Sequence, residues 1–347
     1  MSLIGRSRLR AGDLVEVLSL PEIQATLDST GALDGMPFMP EMVRFCGRRF
    51  RVAKRAHKTC DTVDKTGGVS VASAVHLEGL RCDGSGHGGC QAACLMFFKE
   101  AWLKPVRGAE AVAGPNRGAS ADASSLPVEW SCTVVRNGGP DTIRYRCQIT
   151  EIPRFTKLLH WWDLRQYLED FTSGNVGVAQ LLRGLRWSLF RMYMAHGVGY
   201  GFFRDLFNRM QRLRGGASFP FVGGTLKKTP HTELGLQPGE WVRVKSFDAI
   251  VATLDPQNRN RGLSFDTGEM RLLCDKTFRV RDRIHRIVNE KTGEMMAFSN
   301  PCITLEGVYC TAETTQLRVF CPRAITPYWR EIWLERAPAP TRVQERS

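Results

Sequence analysis

The chain has no long apolar run, too few acidic residues to balance its basic ones, and no nucleotide-binding or ordinary zinc-ribbon motif. No stretch of 18 or more apolar residues occurs, which excludes a transmembrane helix. The basic start MSLIGRSRLRAGDLVEV leads into no apolar segment of the kind an export signal needs. A disulfide framework is therefore not expected for the eleven cysteines, and a cytoplasmic setting with reduced thiols is. The glycine-rich loop 83–89 lacks the G-K-[ST] ending of a phosphate-cradling loop. No adjacent C-x-x-C knuckle occurs, and no paired catalytic carboxylates can be named. A thiol nucleophile, Cys60 with His57 or Cys90 with His87, would need a third group to orient the base, and no such motif is present.

What the chain does have is positive charge, clustered sulfur and a repeat. Lys and Arg number 48 against 35 Asp and Glu, a net charge of +13 over 347 residues. That balance favours a polyanionic partner, and the length predicts two or three domains. GDLVEVLSLPEIQATLD (12–28) lies over GEWVRVKSFDAIVATLD (239–255) without a gap. The match continues through FRV at 50–52 and 278–280, HLEGLRC (76–82) with TLEGVYC (304–310), and FFKEAWL (97–103) with YWREIWL (328–334). One domain thus occurs twice, at 10–107 and 237–338, with a short tail at 339–347.

Alternation of apolar and polar residues in DLVEV, RFRV and VHLEGL, and in their counterparts, predicts short strands. The opening GDLVEV, repeated as GEWVRV, resembles the first strand of SH3-like barrels of the KOW type. The resemblance implies a small barrel in each copy. The glycine that KOW motifs place after this strand is replaced by Ser19-Leu20 and Ser246-Phe247, so the nucleic-acid role of that family does not follow from it. The expected fold is mainly β with an α insertion: two homologous SH3-like barrels flanking a linker (108–126), then a hairpin and a basic helical region (127–236).

Aligning the copies brings sulfur and imidazole positions into register. Cys46 answers Cys274, His57 answers His285 at the same spacing of eleven, Cys82 answers Cys310, and Cys90 answers Cys321 when the final strand sets the register. Each copy then offers three thiolates and one imidazole, a set suited to a closed structural zinc site. Two zinc ions are expected; an iron–sulfur cluster is the alternative. A rival local set lies inside CDGSGHGGCQAAC: Cys82, His87, Cys90 and Cys94. Cys60 is a further alternate ligand, and core packing of the thiols is the competing explanation. Cys132 and Cys147 flank the hairpin turn and are expected to be reduced core thiols, with a facing pair across the turn as the alternative.

Between 181 and 214 there are seven arginines, Arg183, Arg186, Arg191, Arg204, Arg209, Arg212 and Arg214, against one aspartate and no lysine. Leu182, Leu185, Leu189, Met192 and His196 recur at helical spacing, so a core helix is one reading. An arginine-rich surface for RNA or DNA is another, and peripheral contact with an anionic membrane a third. The leading functional expectation is a non-enzymatic zinc-binding tandem-barrel protein that docks on nucleic acid. Alternatives are an iron–sulfur redox protein or accessory to a redox enzyme, with a protein partner, and an enzyme in which Cys60, His87 and Cys94 mark a specialised first copy.

Overall fold

The structure, a computed structural model, describes residues 8–106, 143–196, 200–214, 223–313 and 318–339. The chain forms two compact units. The first comprises residues 1–182 with 286–297 and 320–325; the second comprises 183–285, 298–319 and 326–347. The expected linker, Cys132 and the expected hairpin turn lie outside the described residues.

In the first unit the strands are short and antiparallel. They are β1 (Leu14–Val17), β2 (Ala32–Leu33), β3 (Met36–Pro37), β4 (Arg49–Arg55), β5 (Lys58–Asp61), β6 (Gly67–Val71), β7 (Ala74–Arg81), β8 (Leu95–Lys99), β9 (Leu103–Pro105) and β10 (Thr156–Leu159). Alternation in β1 sends Val15 and Val17 into the core and leaves Leu14 and Glu16 half-buried. The strand stops at Ser19, whose N–H donates to Glu22 Oε2 at 2.9 Å, and Pro21 stands in the first turn of α1 (Leu20–Gln24). One sheet runs β8-β7-β4-β1-β9 and a second runs β10-β6-β5. Trp102, Phe38, Phe97, Phe98, Met42 and Leu77 fill the core, with Phe38 set edge-on to Trp102 at 5.4 Å.

The second copy repeats the pairing, with residues 286–288 of β14 and 295–297 of β15 counted in the first unit. Its elements are β11 (Trp241–Val244), β12 (Arg259–Asn260), β13 (Leu263–Ser264), β14 (Thr277–Val288), β15 (Met295–Leu305) and β16 (Leu334–Arg336), in the order β15-β14-β11-β16. Val15 pairs with Phe50 and Pro105; Val242 pairs with Phe278 and Arg336. These are the positions that the sequence repeat aligns, so both copies share strand order and register.

Helices are few: α2 (Ile152–Phe155), α3 (Arg165–Thr172), α4 (Val178–His196), α5 (Tyr200–Leu213) and α6 (Phe247–Val251). The fold is mainly β, as the patterning implied. The first arm and turn of the expected hairpin lie outside the described residues, and in its second arm Arg144 bridges Glu294 before the chain turns into α2. One local expectation differs from the structure. Leu182 and Leu189, expected on a packed face, are more than half exposed, so helical spacing there does not mark a core helix. Among the described residues no helix is long and apolar enough to cross a membrane.

Candidate metal centre in the β7–β8 connection

Strand β7 ends where Arg81 pairs with Leu95, and the intervening loop closes on itself because Cys82 N donates to Cys94 O at 2.9 Å. Glycine makes this closure possible. Gly84 has φ +75°, and a Cβ there would stand 2.0 Å from Cys90 O; Gly88 has φ +60° and lies against the Tyr145 hydroxyl. The turn is tied by His87 N and Gly89 N, both donating to Gly84 O at 2.9 Å.

Beneath the loop sits Glu41, in the 3-10 turn Pro40–Phe45. Its Oε1 accepts from Gly86 N at 3.0 Å and lies 2.7 Å from His87 Nδ1. Cys82 Sγ is 3.6 Å from the same carboxylate oxygen and 3.8 Å from His87 Nδ1. Among the described residues, Glu41, Cys82 and His87 are the one group of three whose ligand atoms all lie within 4.8 Å of one another. Glu41 and His87 are buried, and each keeps a buried polar atom without a partner, Glu41 Oε2 and His87 Nε2. Such atoms cost free energy unless something fills the need.

The same loop lines a cavity of about 30 Å³ together with Cys82, Cys90, Cys94 and Cys147. That is room for a water-sized or ion-sized occupant. Burial pushes the Cys94 thiol up to about 12 and Cys147 up to about 11, and burial with the adjacent Glu41 charge pushes Cys82 higher still. Burial also raises the Glu41 carboxyl, but its bond to His87 and the imidazole charge outweigh this and hold it below the ordinary value. Cys90 Sγ accepts from Val288 N at 3.3 Å and Cys82 Sγ from Gly84 N at 3.4 Å, bonds that suit sulfur carrying negative charge.

The duplicated Cys₃His sets are distributed rather than gathered. Cys46 and Cys274 both cap a 3-10 turn, donate their N–H to a carbonyl at 3.1 Å and pack on an apolar cluster. Burial raises both thiols to about 11. His57 is buried, with Nε2 3.2 Å from both Gln166 O and Asp170 Oδ1, whereas His285 is exposed. Cys321 belongs to the first unit, where Cys60 N donates to its Sγ at 3.1 Å. Of the described residues, Cys274, His285 and Cys310 form no metal-capable group, so one candidate site stands where two were expected. Sequence reasoning missed Glu41, although Glu269 answers it five residues before the aligned Cys274, and it missed the placement of Cys147, which has no counterpart in the repeat.

The basic segment is placed on α4 and α5. Arg183, Arg186, Arg209, Arg212 and Arg214 are exposed, Arg204 is half-buried and paired with Asp205 at 3.0 Å, and the Arg191 side chain lies outside the described ones. Arg183, Arg186 and Arg271 line a cleft of about 910 Å³ with Trp187, Phe190 and Phe207. Phe190 lies 5.6 Å from Trp187 and 5.3 Å from Phe207.

Comparison with protein-family models, curated proteins and solved structures gives no match to this chain.

Proposed function

We propose that the β7–β8 connection is a structural zinc site and that the protein is a metal-stiffened binding module rather than an enzyme. The observation that carries this reading is the unpartnered, buried His87 Nε2 in a cavity also lined by Cys82, Cys90 and Cys94. Three thiolates and one imidazole make a closed tetrahedral set, and Glu41 on His87 Nδ1 plays the carboxylate role that commonly fixes the tautomer of a zinc-bound histidine. Cys147 is a spare thiol on the same wall. We further read the five-stranded sheet β8-β7-β4-β1-β9 and the four-stranded sheet β15-β14-β11-β16 as a duplicated SH3-like barrel, on the strength of their common register.

The test is metal analysis of protein purified without air. Close to one zinc per chain, lost in Cys82→Ser and in His87→Ala but kept in Cys274→Ser, supports the site. A metal-free protein, or zinc retained in both loop variants, overturns it. A brown protein whose visible absorption bleaches on reduction assigns the same thiolates to an iron–sulfur cluster instead.

A second reading concerns the partner, and the cleft on α4 and α5 favours it. Arginines that meet phosphates beside rings that stack on bases suit single-stranded nucleic acid. Titration of a labelled oligonucleotide at several salt concentrations tests it. Binding that weakens steeply with salt supports the reading, and absence of binding at low salt removes it.

A further inference from the structure

Away from the metal candidate, a second pair of thiols meets inside the first unit. Cys60 lies on β5 and Cys321 on the segment 320–325. Both are buried, at 5% and 7% exposure. Cys60 N donates to Cys321 Sγ at 3.1 Å, and the two thiols are hydrogen-bonded to each other. Cys60 has no cysteine opposite it in the repeat, and Cys321 answers Cys90, which lies in the metal loop.

Two buried cations stand beside the pair, each held by a carboxylate. The buried Arg323 guanidinium lies 3.7 Å from Cys60 Sγ and 3.4 Å from Cys60 O. It is held there by Thr62 Oγ1 at 2.8 Å and Glu290 Oε1 at 2.7 Å. The buried ammonium of Lys58, anchored on Asp170 at 2.6 Å, lies close enough to Cys321 for their charges to interact. A cation beside a thiol favours its thiolate, the form that attacks peroxides. The bond to Cys60, and then burial, instead keep the Cys321 thiol protonated well above the ordinary range. One sulfur is thus set up to attack and its neighbour to follow.

We propose that Cys60 and Cys321 are a peroxide-oxidisable dithiol, with Cys60 as the attacking sulfur and Cys321 as the resolving one. The Cys60 thiol gives up its proton, and the thiolate attacks one oxygen of hydrogen peroxide; the O–O bond breaks, and the departing hydroxide takes up the released proton to leave as water. Cys60 is now a sulfenic acid. Cys321 sulfur attacks the Cys60 sulfur, the S–O bond breaks, and the second hydroxide leaves as water with the Cys321 proton. Two thiols and one peroxide become one disulfide and two waters. Hydrogen peroxide is little larger than water, so it can reach a pair that a bulky disulfide reagent cannot. The product ties β5 covalently to the segment 320–325, a link that spans most of the chain. This dithiol functions whether or not the β7–β8 loop holds zinc.

The experiment uses the full chain, loaded with zinc, exposed to a small excess of hydrogen peroxide, denatured without reductant, alkylated and digested. Two of the eleven cysteines should leave the alkylated pool, and mass spectrometry should find the Cys60 and Cys321 peptides joined, with the link undone by dithiothreitol. In Cys321→Ser, dimedone should label Cys60, because the sulfenic acid has no partner; in Cys60→Ser, Cys321 should stay unlabelled. Wild-type protein in which both residues remain alkylatable after peroxide would overturn the proposal, as would cross-links confined to Cys82, Cys90, Cys94 and Cys147. The wild-type peptide map decides the matter even if a variant fails to fold.

Discussion

Trp333 donates its indole N–H to Thr253 Oγ1 at 3.0 Å, and Trp102 makes the same bond to Thr26 at 3.1 Å. Both rings are completely buried, and both hydroxyls pass their own proton to a helix carbonyl, Ile250 O or Ile23 O, at 2.7 Å. Thr253→Val keeps the shape and removes the acceptor. The expected cost is about 1–3 kcal/mol, the desolvation of a stranded donor, read from urea unfolding of wild type and variant.

A second repeated device is an ion pair that holds the chain entering each sheet. Arg55 meets Glu100 at 2.6 Å, and Glu100 also accepts from Leu9 N at 3.0 Å. Arg283 pairs with Glu331, which accepts from Gly235 N and Leu236 N at 3.1 Å. Replacing Arg283 by Met leaves a buried carboxylate without its cation and should cost about 3–5 kcal/mol. Arg279→Met, at an exposed pair, should change stability by less than about 1 kcal/mol in the same unfolding measurement.

His76 predicts sensitivity to acid. Burial, offset in part by its bond to Met96 O at 2.9 Å and deepened by Lys54, Arg81 and Arg323, lowers its pKa from 6.5 to about 4. The unfolded chain therefore binds a proton that the native one refuses. The contribution is whole above about pH 6.5, falls as the pH drops, and levels off below about pH 4. The loss amounts to about 3 kcal/mol at 1.36 kcal/mol per unit. His76→Gln should flatten the difference in unfolding free energy between neutral and acid conditions, whatever it does to stability at neutral pH.

Zinc loading should release protons. With Cys94 held near 12 and Cys82 pushed higher still, these ligand thiols are protonated at neutral pH in the apo protein, so coordination must displace their protons. Affinity should rise with pH. Calorimetry in two buffers of different ionisation enthalpy should give different apparent heats; equal heats would mean that the thiols are not ligands.

Replacing Arg204, Arg209 and Arg212 together by Gln tests the basic surface. Arg209 and Arg212 are exposed, whereas Arg204 is engaged with Asp205. If they contact phosphates, affinity should fall alike for all sequences, and the slope of log K against log salt should flatten by about two to three. An unchanged slope for RNA and DNA would remove these residues from the interface.

The repeat made much of the architecture legible. Val15 and Val242, Phe50 and Phe278, and Leu103 and Leu334 align in sequence and hold equivalent sheet positions. The same comparison misled at the site. Cys46 and Cys274 are half-buried at the ends of matching 3-10 turns and pack on the apolar clusters, and a repeat preserves packing as faithfully as it preserves ligation.

Alternation and turn residues act locally and were present twice, so the strand segments and their duplication were legible along the chain. The sequence by itself also set apart CDGSGHGGCQAAC, whose glycines permit only a tight return of the chain. The tertiary structure alone decided which sulfurs meet. Glu41 and Cys147 reach the loop from distant parts of the chain, and Cys321 reaches Cys60 across 261 positions. Such meetings depend on how packed layers close over one another, and no spacing along the chain encodes that distance.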